Sequence, residues 1–147
     1  NPDMKDILNA RVKFREPFRP FTPSVLAERS AEFFELDEEC PFMLMAPYVR
    51  PGMADLVPAI THADNTARVQ TVTAETNEMY YGLIKAFERL TGIPMVLDTS
   101  FNIADEPIVE SPEDAIRCFL STDIDVLGVG QYMITKLQKT HTTQMVS

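Results

Sequence analysis

Four positively charged side chains lie close together near the start of this chain. They are Arg11, Lys13, Arg15 and Arg19. They occupy odd positions, and the even positions between them carry the apolar residues Val12, Phe14 and Phe18. In an extended chain this alternation puts the cations on one face and the apolar side chains on the other. Arginine forks and a lysine point charge suit phosphate oxygens, so the stretch 11–21 is either an anion-binding strand or an edge strand protected by charge.

Short polar side chains follow a strongly apolar segment later in the chain. Ser100 and Asn102 come after residues 94–99, which predict a buried strand. Ligands of open α/β sheets bind in the crevice at the carboxyl ends of strands, and a hydroxyl and an amide can both bond phosphate oxygens. The alternative is an ordinary turn, because Ser, Asp and Asn readily bond their own backbone.

A third group of polar residues, His62, Asp64 and Arg68, precedes a predicted strand. His62 and Asp64 are too few ligands for a metal site, so we predict that no metal is bound by the protein here. Arg68 is a further candidate for anion binding, with a surface ion pair as the alternative. The sequence contains no GxxxxGK[ST], GxGxxG or GxSxG motif, so P-loop, Rossmann and α/β-hydrolase mechanisms have no local support.

Composition and charge restrict the class of protein. The chain has 147 residues, a net charge of -9, 45% hydrophobic residues and 24% charged residues, which is typical of one globular domain. A strongly acidic chain is a poor candidate for a nucleic acid partner held by a broad basic face. No membrane span or signal peptide is predicted, and the two cysteines, Cys40 and Cys118, have no CxxC spacing. A reducing cytoplasm is the simplest compartment.

The elements that must position these residues alternate irregularly along the chain. Pro17, Pro20 and Pro23 exclude a long helix after the cation cluster. Helices are predicted over 4–10, 28–36 (burying Ala31 and Phe34), 77–90 and 111–120, and strands over 24–26, 42–49, 67–73, 94–99, 126–129 and 132–137. Residues 139–147 read as a flexible tail. This order predicts an α/β domain with a mixed, twisted sheet flanked by helices.

Two of the motifs together resemble a known family. Lys13-Phe14-Arg15 and Ser100-Phe101-Asn102 are similar to the K-x-R and S-x-N pair of YrdC-like domains. The runs 9–21, 62–70 and 97–102 are similar to the C-terminal, YrdC-like domain of the NodU/CmcH carbamoyltransferases. The resemblance covers nearly the whole chain, and we assign residues 1–138 to this domain. The chain does not begin with Met and lacks a segment containing glycine and arginine that the family usually carries just upstream, so we expect it to be truncated on that side.

The resemblance implies a function. Domains of this family bind ATP and carbamoyl phosphate and form carbamoyl adenylate, and a separate N-terminal domain of kinase-like fold transfers the carbamoyl group to an acceptor hydroxyl. Mg²⁺ is expected to arrive with the nucleotide. By resemblance, Lys13 and Arg15 hold phosphate groups, Arg68 reaches carbamoyl phosphate or the α-phosphate, and Ser100 and Asn102 bind triphosphate oxygens. Arg19 is a weaker member of this set.

Two other functions are compatible with the same residues. The basic strand could dock on an acidic partner domain without catalysis, in which case it would not distinguish ATP from other polyanions. A YrdC-like domain could also take part in threonylcarbamoyl modification of tRNA, but the acidic composition and the closer match to NodU/CmcH count against this.

Overall fold

The computed structural model describes residues 1–137, which form short helices and two small sheets. The elements in chain order are α1 (Met4–Leu8), a π-helical turn (Asn9–Lys13), β1 (Thr22–Leu26), a 3₁₀ turn (Ala27–Arg29), α2 (Ser30–Phe33), β2 (Gln70–Val72), α3 (Glu78–Thr91), β3 (Met95–Asp98), α4 (Pro112–Ser121), β4 (Val126–Val129) and β5 (Tyr132–Thr135). The predicted tail 139–147 lies outside the described residues. Within residues 1–137, no helix is both long and apolar enough to cross a membrane.

The larger sheet has three strands in the order β2-β1-β3. Strand β1 pairs in parallel with β2 and antiparallel with β3, so the sheet is mixed. Strands β4 and β5 form a separate antiparallel hairpin. The predicted α/β class with a mixed sheet is therefore confirmed.

Strand β1 is the centre of the hydrophobic core, since all five of its residues are buried. Its successive side chains face opposite sides of the sheet. Val25 packs in a cluster with Phe34 and other apolar residues of the segment 33–69. Leu26 packs with Ile84 of α3 on the other side. The sheet is thus covered on both faces, and the ends of its strands carry the polar residues discussed below.

Several local predictions are confirmed. Helix α3 follows the predicted bounds closely and ends at Gly92, whose φ of 78° is the left-handed conformation that glycine adopts without strain. Helix α4 begins at Pro112 after the predicted cap Ser111, whose side chain accepts a hydrogen bond from the Asp114 backbone N–H. Strand β4 has the predicted bounds, and β5 ends at Thr135.

The prediction of an extended basic strand over 11–21 is wrong. Residues 9–13 continue α1 as a π-helical turn, and Phe14 then reverses the chain with a φ of 48°. Consequently the four cations do not share a face: Lys13 is buried, whereas Arg11 is exposed. The alternation of charge was a coincidence of composition, because the backbone that would make it a face does not form.

Three other predicted elements are shorter than expected. The strand over 42–49 is reduced to single bridges at Tyr48 and Val49, since the chain takes a positive φ at Met43 and Pro47 has no N–H to donate. Of the helix predicted over 28–36, only α2 is α-helical. Ala31, which we expected to be buried, is exposed. The strand over 67–73 is limited to β2. In each case irregular backbone over 34–69 packs the core in place of regular elements.

Candidate functional site

Arg15 lies at the centre of the site, and three neighbours hold its guanidinium in one orientation. Its Nε donates to Asn9 Oδ1 at 2.8 Å, its Nη2 donates to the Pro20 carbonyl at 3.4 Å, and its Cζ lies 4.8 Å from the centre of the Phe21 ring. Within residues 1–137, Nη1 has no hydrogen-bond partner. A guanidinium that is fixed on one edge and open on the other is arranged to bind an anion.

Asn9 is the residue that makes this arrangement possible, and sequence reasoning did not identify it as functional. It is 1% exposed. Besides accepting from Arg15, its Nδ2 donates to the carbonyl oxygens of Pro17 and Arg19 at 3.3 Å and 3.2 Å. One amide therefore ties the π-helical turn to the loop that follows it. No local pattern could have revealed this, because the role depends on how a proline-containing loop folds back.

Lys13 joins the first segment of the chain to the loop after β3. Its side chain is buried, and its Nζ lies within 2.6–3.1 Å of four oxygens. These are the backbone carbonyl and side-chain oxygens of Ser100 and Asn102. The Ser100 hydroxyl also donates to Asn102 Oδ1 at 2.6 Å. The K-x-R and S-x-N motifs are thus in direct contact, and in this structure the ammonium is engaged by protein oxygens.

Arg68 approaches the site from the segment that precedes β2. Its Nε and Nη2 lie 3.4 Å and 3.2 Å from the hydroxyl oxygen of the buried Thr22, and the residue is exposed. Arg19 forms an exposed ion pair with Glu16 at 2.9 Å. Both guanidinium groups retain donors that face solvent, so they can still bind a ligand.

The electrostatics of the cluster favour a bound anion. Burial, and next the positive charge of Arg15, lower the pKa of the Lys13 ammonium from its ordinary value. Burial, and next the positive charge of Arg19, likewise lower the pKa of Arg15. An anion placed among these groups would compensate the repulsion and favour their charged forms. The four oxygens around Lys13 are acceptors of the kind that a charged ammonium requires.

Adjoining cavities surround Arg15. A cavity of about 670 Å³ is bordered by five of the six predicted site residues, which are Lys13, Arg15, Arg19, Ser100 and Asn102. Arg68, the sixth, borders cavities of about 360 Å³ and 240 Å³, and Arg15 borders these as well. The structure therefore brings all six together, whereas Arg11 lies outside the cluster. The roles of these six residues in binding stay predictions.

A cavity elsewhere on the molecule has the opposite charge. It measures about 490 Å³ and is bordered by Glu28, Asp37, Glu38, Glu39 and Glu75. A polyphosphate would be repelled there, so the cleft around Arg15 is the candidate anion site. Within residues 1–137, no group of three or more His, Cys, Asp or Glu side chains is arranged to hold a metal ion.

The fold and the cleft together define an α/β domain with a cleft lined by cations. The chain belongs to the family described as Carbamoyltransferase C-terminus, whose model matches residues 1–136. The predicted family is therefore confirmed.

Named relatives support the same assignment. The chain is 51% identical to Nodulation protein NolNO of Sinorhizobium fredii and 49% identical to Nodulation protein NolO of Bradyrhizobium diazoefficiens, over 90% of this chain in both cases. It is 40% identical to Nodulation protein U of Rhizobium tropici over 70% of this chain. The matches cover 20%, 25% and 18% of those relatives. The chain thus spans about a quarter of their length or less, and a function of the carbamoyltransferase type is supported.

Proposed function

We propose that this chain binds ATP and carbamoyl phosphate in the cleft around Arg15 and promotes the formation of carbamoyl adenylate. The observation that carries the proposal is the convergence of Lys13, Arg15, Arg19, Arg68, Ser100 and Asn102 on adjoining cavities. Residues that are far apart in sequence would have no reason to meet there if each were an isolated turn or surface ion pair. The family assignment supports a function of the carbamoyltransferase type.

The sizes of the cavities suggest where each substrate binds. The cavity of about 670 Å³ falls within the range of roughly 300–1,000 Å³ typical of sites for larger organic ligands, so we place the triphosphate of ATP there. The cavity of about 240 Å³ beside Arg68 suits a smaller anion, so we place carbamoyl phosphate there. Arg15 borders both, and it would contact the phosphates of both substrates.

The residues present are suited to this reaction. Water first splits carbamoyl phosphate into carbamate and phosphate, and an oxygen of the carbamate then attacks the α-phosphate of ATP to give carbamoyl adenylate and pyrophosphate. The second step brings two anions together and develops negative charge on the α-phosphate and the departing pyrophosphate. Arg15, held by Asn9 and Phe21, supplies positive charge that needs no rearrangement as the reaction proceeds. Mg²⁺ bound to the nucleotide would neutralise further charge on the phosphates. Lys13 keeps the loop carrying Ser100 and Asn102 against the cleft, which is the support that triphosphate binding needs.

We place transfer of the carbamoyl group to an acceptor hydroxyl in a separate N-terminal domain of kinase-like fold in the same parent chain. The relatives are four to five times longer than the region they share with this chain, which leaves room for such a domain. O-carbamoyl transfer in the cytoplasm is thus the proposed activity of the parent protein. The docking hypothesis depended on a continuous basic strand, and residues 9–13 form a helical turn instead.

Calorimetric titration with Mg-ATP tests the proposal, with and without carbamoyl phosphate. We expect saturable binding that is stronger for ATP than for tripolyphosphate. Arg15→Gln and Arg68→Gln should each weaken binding about ten- to hundredfold, since a charge-assisted hydrogen bond contributes about 1.5–3 kcal/mol. Arg89 is an exposed arginine on α3 and does not border these cavities. The Arg89→Gln variant is therefore the matched control, and its affinity for ATP should be unchanged.

Two results would contradict the proposal. Equal binding of ATP and tripolyphosphate would indicate a general polyanion surface. Unchanged affinity in the Arg68→Gln variant, whose exposed side chain should be dispensable for folding, would place the ligand elsewhere. Thermal melting of each variant must accompany the titrations, so that loss of binding is not confused with loss of structure.

A further inference from the structure

His62 borders the cavity of about 240 Å³, and nothing above assigns it a role. Three guanidinium groups, those of Arg15, Arg19 and Arg68, border the same cavity. Guanidinium groups can only donate hydrogen bonds. The imidazole is partly buried, so it is held in place and still accessible. The question is which of its nitrogen atoms faces a ligand and whether that nitrogen donates or accepts.

A chain of hydrogen bonds from Asp64 determines the tautomer of His62. Asp64 Oδ1 accepts from the backbone N–H of Thr66 at 3.0 Å and from its hydroxyl at 2.7 Å. These bonds lower the pKa of Asp64, so the carboxylate is ionised and can only accept. His62 Nδ1 lies 3.0 Å from the same hydroxyl oxygen. Because the single hydroxyl proton goes to Asp64, the oxygen must accept, and Nδ1 must carry the hydrogen.

When the imidazole is neutral, hydrogen on Nδ1 leaves Nε2 as an acceptor without a hydrogen. Nε2 has no hydrogen-bond partner among residues 1–137. In this part of the chain every buried side-chain nitrogen or oxygen atom has such a partner, so Nε2 is not buried. An acceptor on a residue that borders the same cavity as three arginines suits a ligand that is anionic at one end and carries an N–H at the other. A simple phosphate ester offers no such N–H.

We propose that His62 is the residue by which this site distinguishes carbamoyl phosphate from other acyl phosphates. The phosphate of the ligand binds the guanidinium groups, and its carbamoyl NH₂ donates a hydrogen bond to His62 Nε2. Acetyl phosphate has nearly the same shape but carries a methyl group in place of the NH₂, so it leaves the acceptor without a partner. This inference rests on the proposed function, because it concerns the specificity of the same site.

The test compares the binding of freshly dissolved carbamoyl phosphate, acetyl phosphate and inorganic phosphate in mildly alkaline buffer, which favours neutral imidazole. The wild-type chain should prefer carbamoyl phosphate to acetyl phosphate by about tenfold, the ratio expected from one neutral hydrogen bond. His62→Ala should reduce the ratio to near one without weakening acetyl phosphate. A purely structural role for His62 would lower both affinities together and would overturn the proposal.

Thr66 provides a matched pair of variants for the hydrogen-bond chain. Thr66→Val keeps the shape of the side chain but removes the hydroxyl. The tautomer of His62 should then no longer be fixed, and most of the preference for carbamoyl phosphate over acetyl phosphate should be lost. Thr66→Ser keeps the hydroxyl and should retain it. Nitrogen-15 NMR of the ring should show hydrogen on Nδ1 in the wild-type and Thr66→Ser chains, and a mixture in Thr66→Val.

The possible failures are distinguishable. If all three phosphates bind and His62→Ala keeps the wild-type ratio, this inference is wrong and the proposed function stands. If the ring carries its hydrogen on Nε2 in the wild-type chain, the inference is also wrong. If none of the three phosphates binds, the proposed function fails and this inference fails with it.

Discussion

Replacing Lys13 by methionine tests the contact between the two sequence motifs. Methionine fills the volume of the lysine stem but cannot donate hydrogen bonds. The substitution removes the donor shared by four oxygens of Ser100 and Asn102, all within 3.1 Å. The loop after β3 then loses its attachment to the π-helical turn. Ser100 in the loop and Lys13 in the turn are 87 residues apart in sequence.

The expected loss of stability is about 2 kcal/mol. Hydrogen bonds from a charged donor contribute about 1.5–3 kcal/mol, and Lys13 is only 4% exposed, so solvent weakens its bonds to the loop little in the wild type. Two effects keep the loss from being larger: the variant no longer buries a charge, and the freed oxygens border an open cleft that water can enter.

Urea unfolding measures this loss. For a domain of this size the slope is about 1–3 kcal/mol/M, so the midpoint should fall by roughly 1 M. Arg11→Met is the matched control, since Arg11 is exposed in the same turn, and its stability should stay within about 0.5 kcal/mol of the wild type. Hydrogen exchange should quicken at residues 100–106 in Lys13→Met alone. Equal midpoints for the two variants would refute the interpretation of Lys13 as a structural link.

Three other predictions follow from single contacts. Asn9→Ala should lower stability by about 1–3 kcal/mol and weaken anion binding through Arg15, as urea unfolding and calorimetry would show; unchanged affinity would mean that Asn9 does not orient Arg15. The pKa of Asp114 is lowered first by the hydrogen bond from Ser111 and next by the one from Arg117, so Ser111→Ala should raise it. Stability that depends on the ionised Asp114 carboxylate should therefore be lost at a higher pH in the variant than in the wild type when the solution is acidified. Carbon-13 NMR titration of Asp114 measures this, and an unchanged titration curve would contradict it. Burial raises the pKa of Cys118 and both thiols are buried, so a thiol reagent should label the chain only when it unfolds, and fast native labelling would contradict the packing.

Elements whose signals are local could be predicted from the sequence. Ser111 and Pro112 start α4 through an N-cap and a fixed φ, and Gly92 ends α3 because its conformation costs little there. These causes act within a few residues, so the printed sequence contains them in full. The apolar spacing of α3 predicted its existence equally well, although Ile84 is the only buried member of the set Met79, Leu83, Ile84, Phe87 and Leu90.

Prediction was less successful where irregular backbone carries the structure. Residues 42–49 have an apolar composition typical of a buried strand, yet Phe42 and Leu44 are 77% and 83% exposed. The alternating charges of 11–21 predicted a face that does not exist. In both segments prolines and positive φ values break the regular backbone on which the pattern would depend.

The residue types of the candidate site and the family of the chain could be read from the sequence. Lys13, Arg15, Arg68, Ser100 and Asn102 could be selected because cations and short polar side chains suit phosphate chemistry wherever the chain places them. Their contacts required the tertiary structure. It buries Lys13 against the Ser100 loop, 87 residues away in sequence, orients Arg15 through the side chain of Asn9, and places His62 Nδ1 beside the Thr66 hydroxyl. The first contact joins distant parts of the chain and the other two form in irregular backbone, so residue spacing carries no information about any of them.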